Sequence, residues 1–370
     1  MDIIAQILSR LTKGVPCAKR SFPQHLGTYP QSVLCLLSSM WWLSLGTFFV
    51  SLILSRLWLG LQERKRIGQP IRDYGPEIHT HKKGTPTAGG VALVLAFLGS
   101  WAVLTLFDHE ALGPKALFVG AATLGFGLIG LLDDGLKIFQ RHAQGLPGRY
   151  KLLLQAIVGG ALAWAALALE IASSVRIPFI GEIVALSPAL SVALIFLVFI
   201  STVNAFNETD GLDGLLAGVT LIALGAYGVI LYLQNEITLV NIVMLAAMAL
   251  LGFLWWNAHP ARLILGDTGS FVLGGLVGAL ALVTGTALLL PLIALIPVIE
   301  TLSVIVQVLS FKLFKRRVFK VSPLHHHFER AKGVDYEFLL PNQEWPEVLI
   351  TLRFWIIAAV GAVLGLLAYR

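Results

Sequence analysis

Cysteine is almost missing from this chain: Cys17 and Cys35 are the only two in 370 residues. That leaves no disulfide framework and no thiolate-held metal site. Charge is scarce as well. Asp, Glu, Lys and Arg make up 13% of the residues and hydrophobic types 56%, against roughly 25% and 45–50% in a soluble domain. An ordinary soluble fold is therefore excluded. No strong internal repeat and no low-complexity tract appears. The N-terminal stretch 1–35 does not read as a cleaved signal peptide, because Pro16, Pro23 and Pro30 interrupt its short apolar runs.

What the chain has instead is apolar segments of membrane-crossing length. A hydrocarbon core of about 30 Å needs roughly 20 helical residues. Ten stretches qualify, at about 36–60, 87–107, 115–135, 151–169, 185–203, 214–233, 238–256, 270–288, 291–311 and 351–369. The seam between Thr284 and Pro291 is the weakest, with Gly285 and Pro291 its only punctuation; fusing there gives nine spans. The expected fold is an all-α integral membrane protein: an N-terminal tail at 1–35 and one polytopic domain at 36–370.

Basic residues orient it. With ten spans, one set of loops holds Arg64, Lys65, Arg66, Arg72, Lys82, Lys83, Lys137, Arg141, Arg149, Arg262 and the run Lys312, Lys315, Arg316, Arg317 and Lys320. The opposite set holds only Lys115 and Arg176 between spans. The basic set is expected in the cytoplasm and both termini outside. Arg10, Lys13, Lys19 and Arg20 in the tail dissent. The net charge of +6 suits anionic lipid and phosphate-bearing substrates better than nucleic acid.

Five of the nine aspartates fall in three short motifs beside apolar runs: LIGLLDDGLK (Asp133, Asp134), NAFNETDGLDG (Asp210, Asp213) and ARLILGDTGS (Asp267). Carboxylates beside a membrane are costly unless solvated, paired or holding a cation. Asp133 and Asp134 close the third span with Lys137 one turn on, where acids oppose the helix dipole, so stability alone explains them poorly. In NAFNETDGLDG, Asn204, Asn207 and Thr209 flank two aspartates three apart; a polar turn with an Asp cap is the plain alternative. GDTGS opens the eighth span. There Asp267 either caps the helix or holds a hard cation such as Mg²⁺ against phosphate, and both readings can hold together.

SPLHHHFE carries His325, His326 and His327. Three consecutive side chains cannot all face one metal without a distorted backbone, so donation to phosphate, or acid–base work, is the better functional reading. HTHKKGTPTAGG, with His79, His81, Lys82 and Lys83, suits a phosphate grip or mere positive-inside anchoring. Glu300 and Gln307 share a face inside the ninth span, as packing glue or as the lining of a lipid-substrate groove.

Together with IGQPIRDYGPEIHTHKKGTPTAGG and ETLSVIVQ, these motifs resemble the polyprenyl-phosphate hexosamine-1-phosphate transferases from about residue 60 onward. PLHHHFE resembles the phospho-MurNAc-pentapeptide branch. The resemblance implies transfer of phospho-MurNAc-pentapeptide from its UDP carrier to undecaprenyl phosphate, with Mg²⁺, giving lipid I and UMP in a homodimer of the bacterial inner membrane. It implies Asp267 as the Mg²⁺ ligand, and Asp133 and Asp134 as an essential pair. It places Asn204, Asn207, Asp210 and Asp213 at the nucleotide end, Lys82, Lys83 and Lys137 on phosphates, and His325, His326 and His327 on the sugar-phosphate side. The chain departs from the family pattern in having Ile264 where an aromatic stacks on uracil, and Ala88, Gly135 and Glu208 at other motif positions.

Overall fold

The computed structural model describes residues 31–65, 84–140, 145–330 and 336–369, with the backbone alone for 31–39, Lys65 and Gln140. The helices are α1 (Gln31–Lys65), α2 (Gly90–Leu104), α3 (Pro114–Gln140), α4 (Gly148–Ala168), α5 (Pro188–Thr209), α6 (Leu215–Leu233), α7 (Ile237–Asn257) and α8 (Gly266–Val283). They continue with α9 (Leu290–Ile293), α10 (Leu295–Phe314), α11 (His325–Phe328) and α12 (Glu347–Ala368). A hairpin of β1 (Ser174–Arg176) and β2 (Ile183–Ala185) joins α4 to α5, its strands antiparallel.

Among the described residues, nine helices are long and apolar enough to cross a membrane: α1, α3 to α8, α10 and α12. The tenth expected span is α2, apolar but only 15 residues long. The chain is a multi-pass, all-α membrane protein. Helix α1 begins at Gln31, inside the stretch assigned from sequence to the tail.

The weak seam is a real break. Helix α8 stops at Val283, where Thr284 turns its hydroxyl back to Leu280 O and Gly285 takes a positive φ of 67°. Four-residue α9 and Ala294 follow before α10 starts. The two neighbouring spans are therefore shorter and farther apart than their apolar runs suggested, because glycine's left-handed turn overrides continuous hydrophobicity.

Helix α8 is the centre of the bundle: every residue from Thr268 to Val283 is buried. It packs on α3, α5 and α2. Small residues allow this, as is usual where helices meet in lipid. A β-carbon at Gly130 of α3 would lie 2.2 Å from Asp267 O, and one at Gly90 of α2 would lie 2.2 Å from Gly269 N. These glycines set the N-terminal turn of α8 directly against α2 and α3. At the opposite end of the bundle, Lys115 pairs with Glu236, Gln234 donates to Thr284 O, and Arg176 lies over the Tyr369 ring.

Candidate active site

Asp133 and Asp134 lie within α3, which runs on past them to Gln140 rather than ending there. Asp134 sits one turn after Gly130, on the same face. The close glycine contact therefore delivers its carboxylate to the start of α8. Asp134 Oδ1 accepts from Asp267 N (3.1 Å), and Oδ2 accepts from Thr268 N (2.9 Å) and Thr268 Oγ1 (2.7 Å). It is a helix cap supplied from another helix, satisfying amides that α8 leaves free and meeting its positive dipole end.

Asp133 and Asp267 face each other across two lysines. Lys137 Nζ lies 2.6 Å from Asp133 Oδ2 and 3.2 Å from Asp267 Oδ2. Lys151 Nζ, from the first turn of α4, lies 3.1 Å from Asp133 Oδ1 and 2.7 Å from Asp267 Oδ2. Leu146 N donates to Asp133 Oδ1 (2.6 Å). The other oxygen of Asp267, Oδ1, accepts from Asn207 Nδ2 (3.1 Å), which also reaches Ser270 Oγ (3.0 Å). Four helices, α3, α4, α5 and α8, thus converge on one carboxylate cluster.

Carboxylate oxygens of Asp133, Asp134 and Asp267 lie within 4.8 Å of one another. Three carboxylates against two ammonium groups leave one formal negative charge, and the donors are all hard oxygens. The set fits a divalent hard cation. Both oxygens of Asp134 are fixed by amide and hydroxyl donors of α8, whereas Asp133 Oδ2 and Asp267 Oδ2 face only lysine ammonium groups that a cation could displace, so Asp133 and Asp267 are the residues suited to hold it.

The remaining expected residues form two further clusters and one outlier. Asp213 Oδ2 accepts from Ala261 N (2.9 Å) and His259 Nδ1 (3.0 Å), while Asp213 N donates to Glu347 Oε1 (2.7 Å). This ties the α5–α6 turn to the α7–α8 loop and to α12. Asn204 pairs its amide reciprocally with Gln155, at 2.8 and 3.2 Å, on the α4–α5 contact. Asp210 is the C-terminal cap residue of α5.

The histidine run divides. His325 and His326 lie with ring centroids 4.0 Å apart and planes tilted by 59°, whereas His327 packs edge-on against Phe319, Phe328 and Phe338. His327 Nδ1 accepts Lys320 N (3.0 Å), and burial pushes its proton affinity below the ordinary histidine value, with Lys320 adding to the effect. Glu300, fully buried on α10, accepts His325 N through both oxygens at 3.2 Å. Glu208 takes a hydrogen bond from Thr301 Oγ1 (2.8 Å). Lys82 and Lys83, like His79 and His81, lie outside the described residues. A polar cavity of about 380 Å³ lined by Lys115, Glu170 and Glu236 sits at the other end of the bundle and touches none of these groups.

Sequence comparison adds what geometry alone does not. Residues 116–285 match glycosyl transferase family 4. A phospho-N-acetylmuramoyl-pentapeptide-transferase of Rubrobacter xylanophilus is 39% identical over 329 residues, which cover 87% of this chain and 94% of that protein. The chain belongs to the phospho-N-acetylmuramoyl-pentapeptide-transferase family. Proteins of that name from Bacillus subtilis and Geobacillus thermodenitrificans are 37% and 38% identical, each match covering 86% of this chain and 94% of the relative.

For a pentapeptide-transferase family member, the residue that motif reading passed over is Lys151. Its signal was present in GRYKLLLQ: Lys151 and Gln155 are polar residues one helical turn apart in an apolar span, and such pairs face the bundle interior. His259, Glu329 and Glu347 were missed too. Each sits in a loop or at a helix start; His259 and Glu347 have partners from distant sequence, whereas Glu329 meets His326 three residues back.

Proposed function

We propose that the protein transfers phospho-MurNAc-pentapeptide from UDP-MurNAc-pentapeptide to undecaprenyl phosphate, producing lipid I and UMP for peptidoglycan synthesis. The observation that carries this reading is the convergence of Asp133, Asp267, Lys137, Lys151 and Asn207 at one end of the spans. Family membership sets the reaction class. The positive-inside bias puts that end in the cytoplasm, with ten spans, both termini outside and a single transferase domain from about residue 36.

Both reactants are anions, so repulsion is the first barrier. Lys137 and Lys151 are ammonium groups poised beside carboxylates, placed to receive phosphate oxygens. Mg²⁺ held by Asp133 and Asp267 would neutralise pyrophosphate charge and polarise the phosphorus. Asn207 fixes Asp267 from the side away from the lysines. Asp134 holds the first turn of α8, and with it Asp267, in register.

We favour direct attack. An oxygen of the lipid phosphate bonds to the β-phosphorus, the bond from that phosphorus to the bridging oxygen breaks, and UMP leaves with the electron pair. A phosphate with second pKa near 6 is largely dianionic at neutral pH, so no strong base is required. The nucleotide end is assigned to Asn204, Asp210 and Asp213, the phosphates also to Lys82 and Lys83, and the sugar-phosphate side to His325 and His326, with fully buried Glu300 bracing His325 from within the bundle. The functional unit is a homodimer.

The test is UMP release by purified protein given UDP-MurNAc-pentapeptide, undecaprenyl phosphate and Mg²⁺, with UDP-GlcNAc and Asp267→Ala as controls. Release should need the muramyl substrate, the lipid, Mg²⁺ and Asp267. Release with UDP-GlcNAc alone, or ping-pong kinetics through a trapped phospho-enzyme, would overturn substrate or mechanism respectively.

A further inference from the structure

Four side chains form a line apart from the carboxylate cluster. Glu300 Oε1 lies 3.2 Å from His325 Nδ1, His325 Nε2 lies 3.2 Å from His326 Nε2, and His326 Nδ1 lies 2.5 Å from Glu329 Oε2. Glu300 and His325 are fully buried, Glu329 is nearly so, and His326 is the most accessible of the four. Gly211, between Asp210 and Asp213, makes room for the line: a β-carbon there would lie 2.1 Å from His325 Nε2.

The protons in this line follow from what each atom can do. An ionised carboxylate only accepts, so the short contact to Glu329 requires a proton on His326 Nδ1. In a neutral imidazole the other nitrogen is then bare, so His326 Nε2 is an acceptor. The contact between the two Nε2 atoms therefore needs its proton on His325. His325 Nδ1 in turn faces a carboxylate of its own, Glu300 Oε1 at 3.2 Å, so that ring answers to Glu300 as well. The glutamate at the outer end thus sets which nitrogen of the His326 ring carries hydrogen.

We propose that Glu329 is a positioning residue of the transferase site, fixing His326 as the Nδ1–H tautomer with its Nε2 bare toward His325. Its effect on turnover rests on the function proposed above; its effect on the rings does not. Within the helical turn His325–Phe328, His327 points into the aromatic cluster, while His326 meets the carboxylate three residues on. A phosphate-bearing substrate on the sugar-phosphate side would then meet rings presented in one orientation only.

The experiment combines ¹⁵N spectra of histidine-labelled protein in nanodiscs with steady-state UMP release, for wild type, Glu329→Ala, Glu329→Gln and Glu329→Asp. His326→Gln and His325→Gln assign the two rings by subtraction. Wild type should show His326 protonated at Nδ1 and bare at Nε2, and Glu329→Ala should lose that signature. Turnover should fall about 10- to 100-fold in kcat for Glu329→Ala, the range found when a partner that orients a functional histidine is removed. KM should change little, and Glu329→Asp should recover part of the rate. His326 bare at Nδ1 in wild type, or unchanged spectra in a folded Glu329→Ala, would overturn the proposal. So would Glu329→Gln and Glu329→Ala both turning over at the wild-type rate. A wild type that shows the tautomers but releases no UMP would remove the transferase reading and leave the ring assignment standing.

Discussion

Replacing Asp134 with alanine takes three hydrogen bonds from the first turn of α8 at once: those from Asp267 N, Thr268 N and Thr268 Oγ1. Thr268 is buried and α3 is pressed against the same turn, so water cannot replace the lost acceptor without moving a helix. A buried donor left unpaired costs about 1–3 kcal/mol, and the hydroxyl can turn elsewhere, so the loss should be about 3–5 kcal/mol. At roughly 2 °C per kcal/mol for a chain of this size, the melting temperature should drop about 5–10 °C. Asp267 rides on that turn, and a shift near 1 Å is worth about 10²-fold in rate. Asp134→Asn keeps one oxygen for the Thr268 amide but turns an NH₂ toward a donor, so it should lie between alanine and wild type in both respects. The assay pairs thermal unfolding in one detergent with UMP release. If Asp134→Ala melts like wild type while losing all turnover, and Asp134→Asn does the same, Asp134 acts on the reacting atoms and the capping argument fails.

Lys151→Gln should cut kcat at least 100-fold with the fold intact, since it removes one of two ammonium groups on Asp133 and Asp267; wild-type turnover in that variant would dismiss Lys151 from the site. Mg²⁺ titrated calorimetrically should bind wild type and Asp213→Asn alike but not Asp267→Asn, because Asp213 belongs to a separate cluster with His259 and Glu347; equal loss in both variants would contradict that separation. Gly211→Ala should depress turnover more than stability, as the new methyl group displaces His325, and full activity would show that the ring position does not matter. His327 gives a pH dependence. Its folded proton affinity lies below the ordinary value of 6.5, so its contribution to stability is complete above pH 6.5, where the unfolded ring starts to take up a proton first, and is lost as pH falls from there through the lower folded value. The melting temperature should therefore fall from pH 7 to 5 less steeply in His327→Gln than in wild type, and parallel curves would refute this.

Much of the architecture was legible because lipid allows so few solutions: long apolar runs must be helices, and all ten segments are helical. Boundaries were less legible where polar residues continue a helix. The α3 helix carries Asp133 and Asp134 well before its end because Lys137 and α8 neutralise and bond them, which local sequence does not show. The clustering of Asp133, Asp134 and Asp267 was suggested by motif position at span ends. Lys151 showed only as half of a polar pair with Gln155 in an apolar span, because its charged partners lie 18 and 116 residues away. The histidine run was read as too crowded for one metal; its division into a tilted pair and a packed single ring depends on aromatic partners, chiefly Phe319 and Phe338, that only the folded loop brings near.

The four-helix origin of the carboxylate cluster has a consequence for biogenesis. Asp133, Lys151, Asn207 and Asp267 leave the ribosome in that order, spread over more than 130 residues, and each enters the bilayer on a different segment. No emerging fragment holds a working constellation until α8 has inserted and threaded between α2, α3 and α5. Chemistry that needs the full cluster is thereby withheld from half-assembled chains, and the last of these four segments to arrive acts as the keystone of the site.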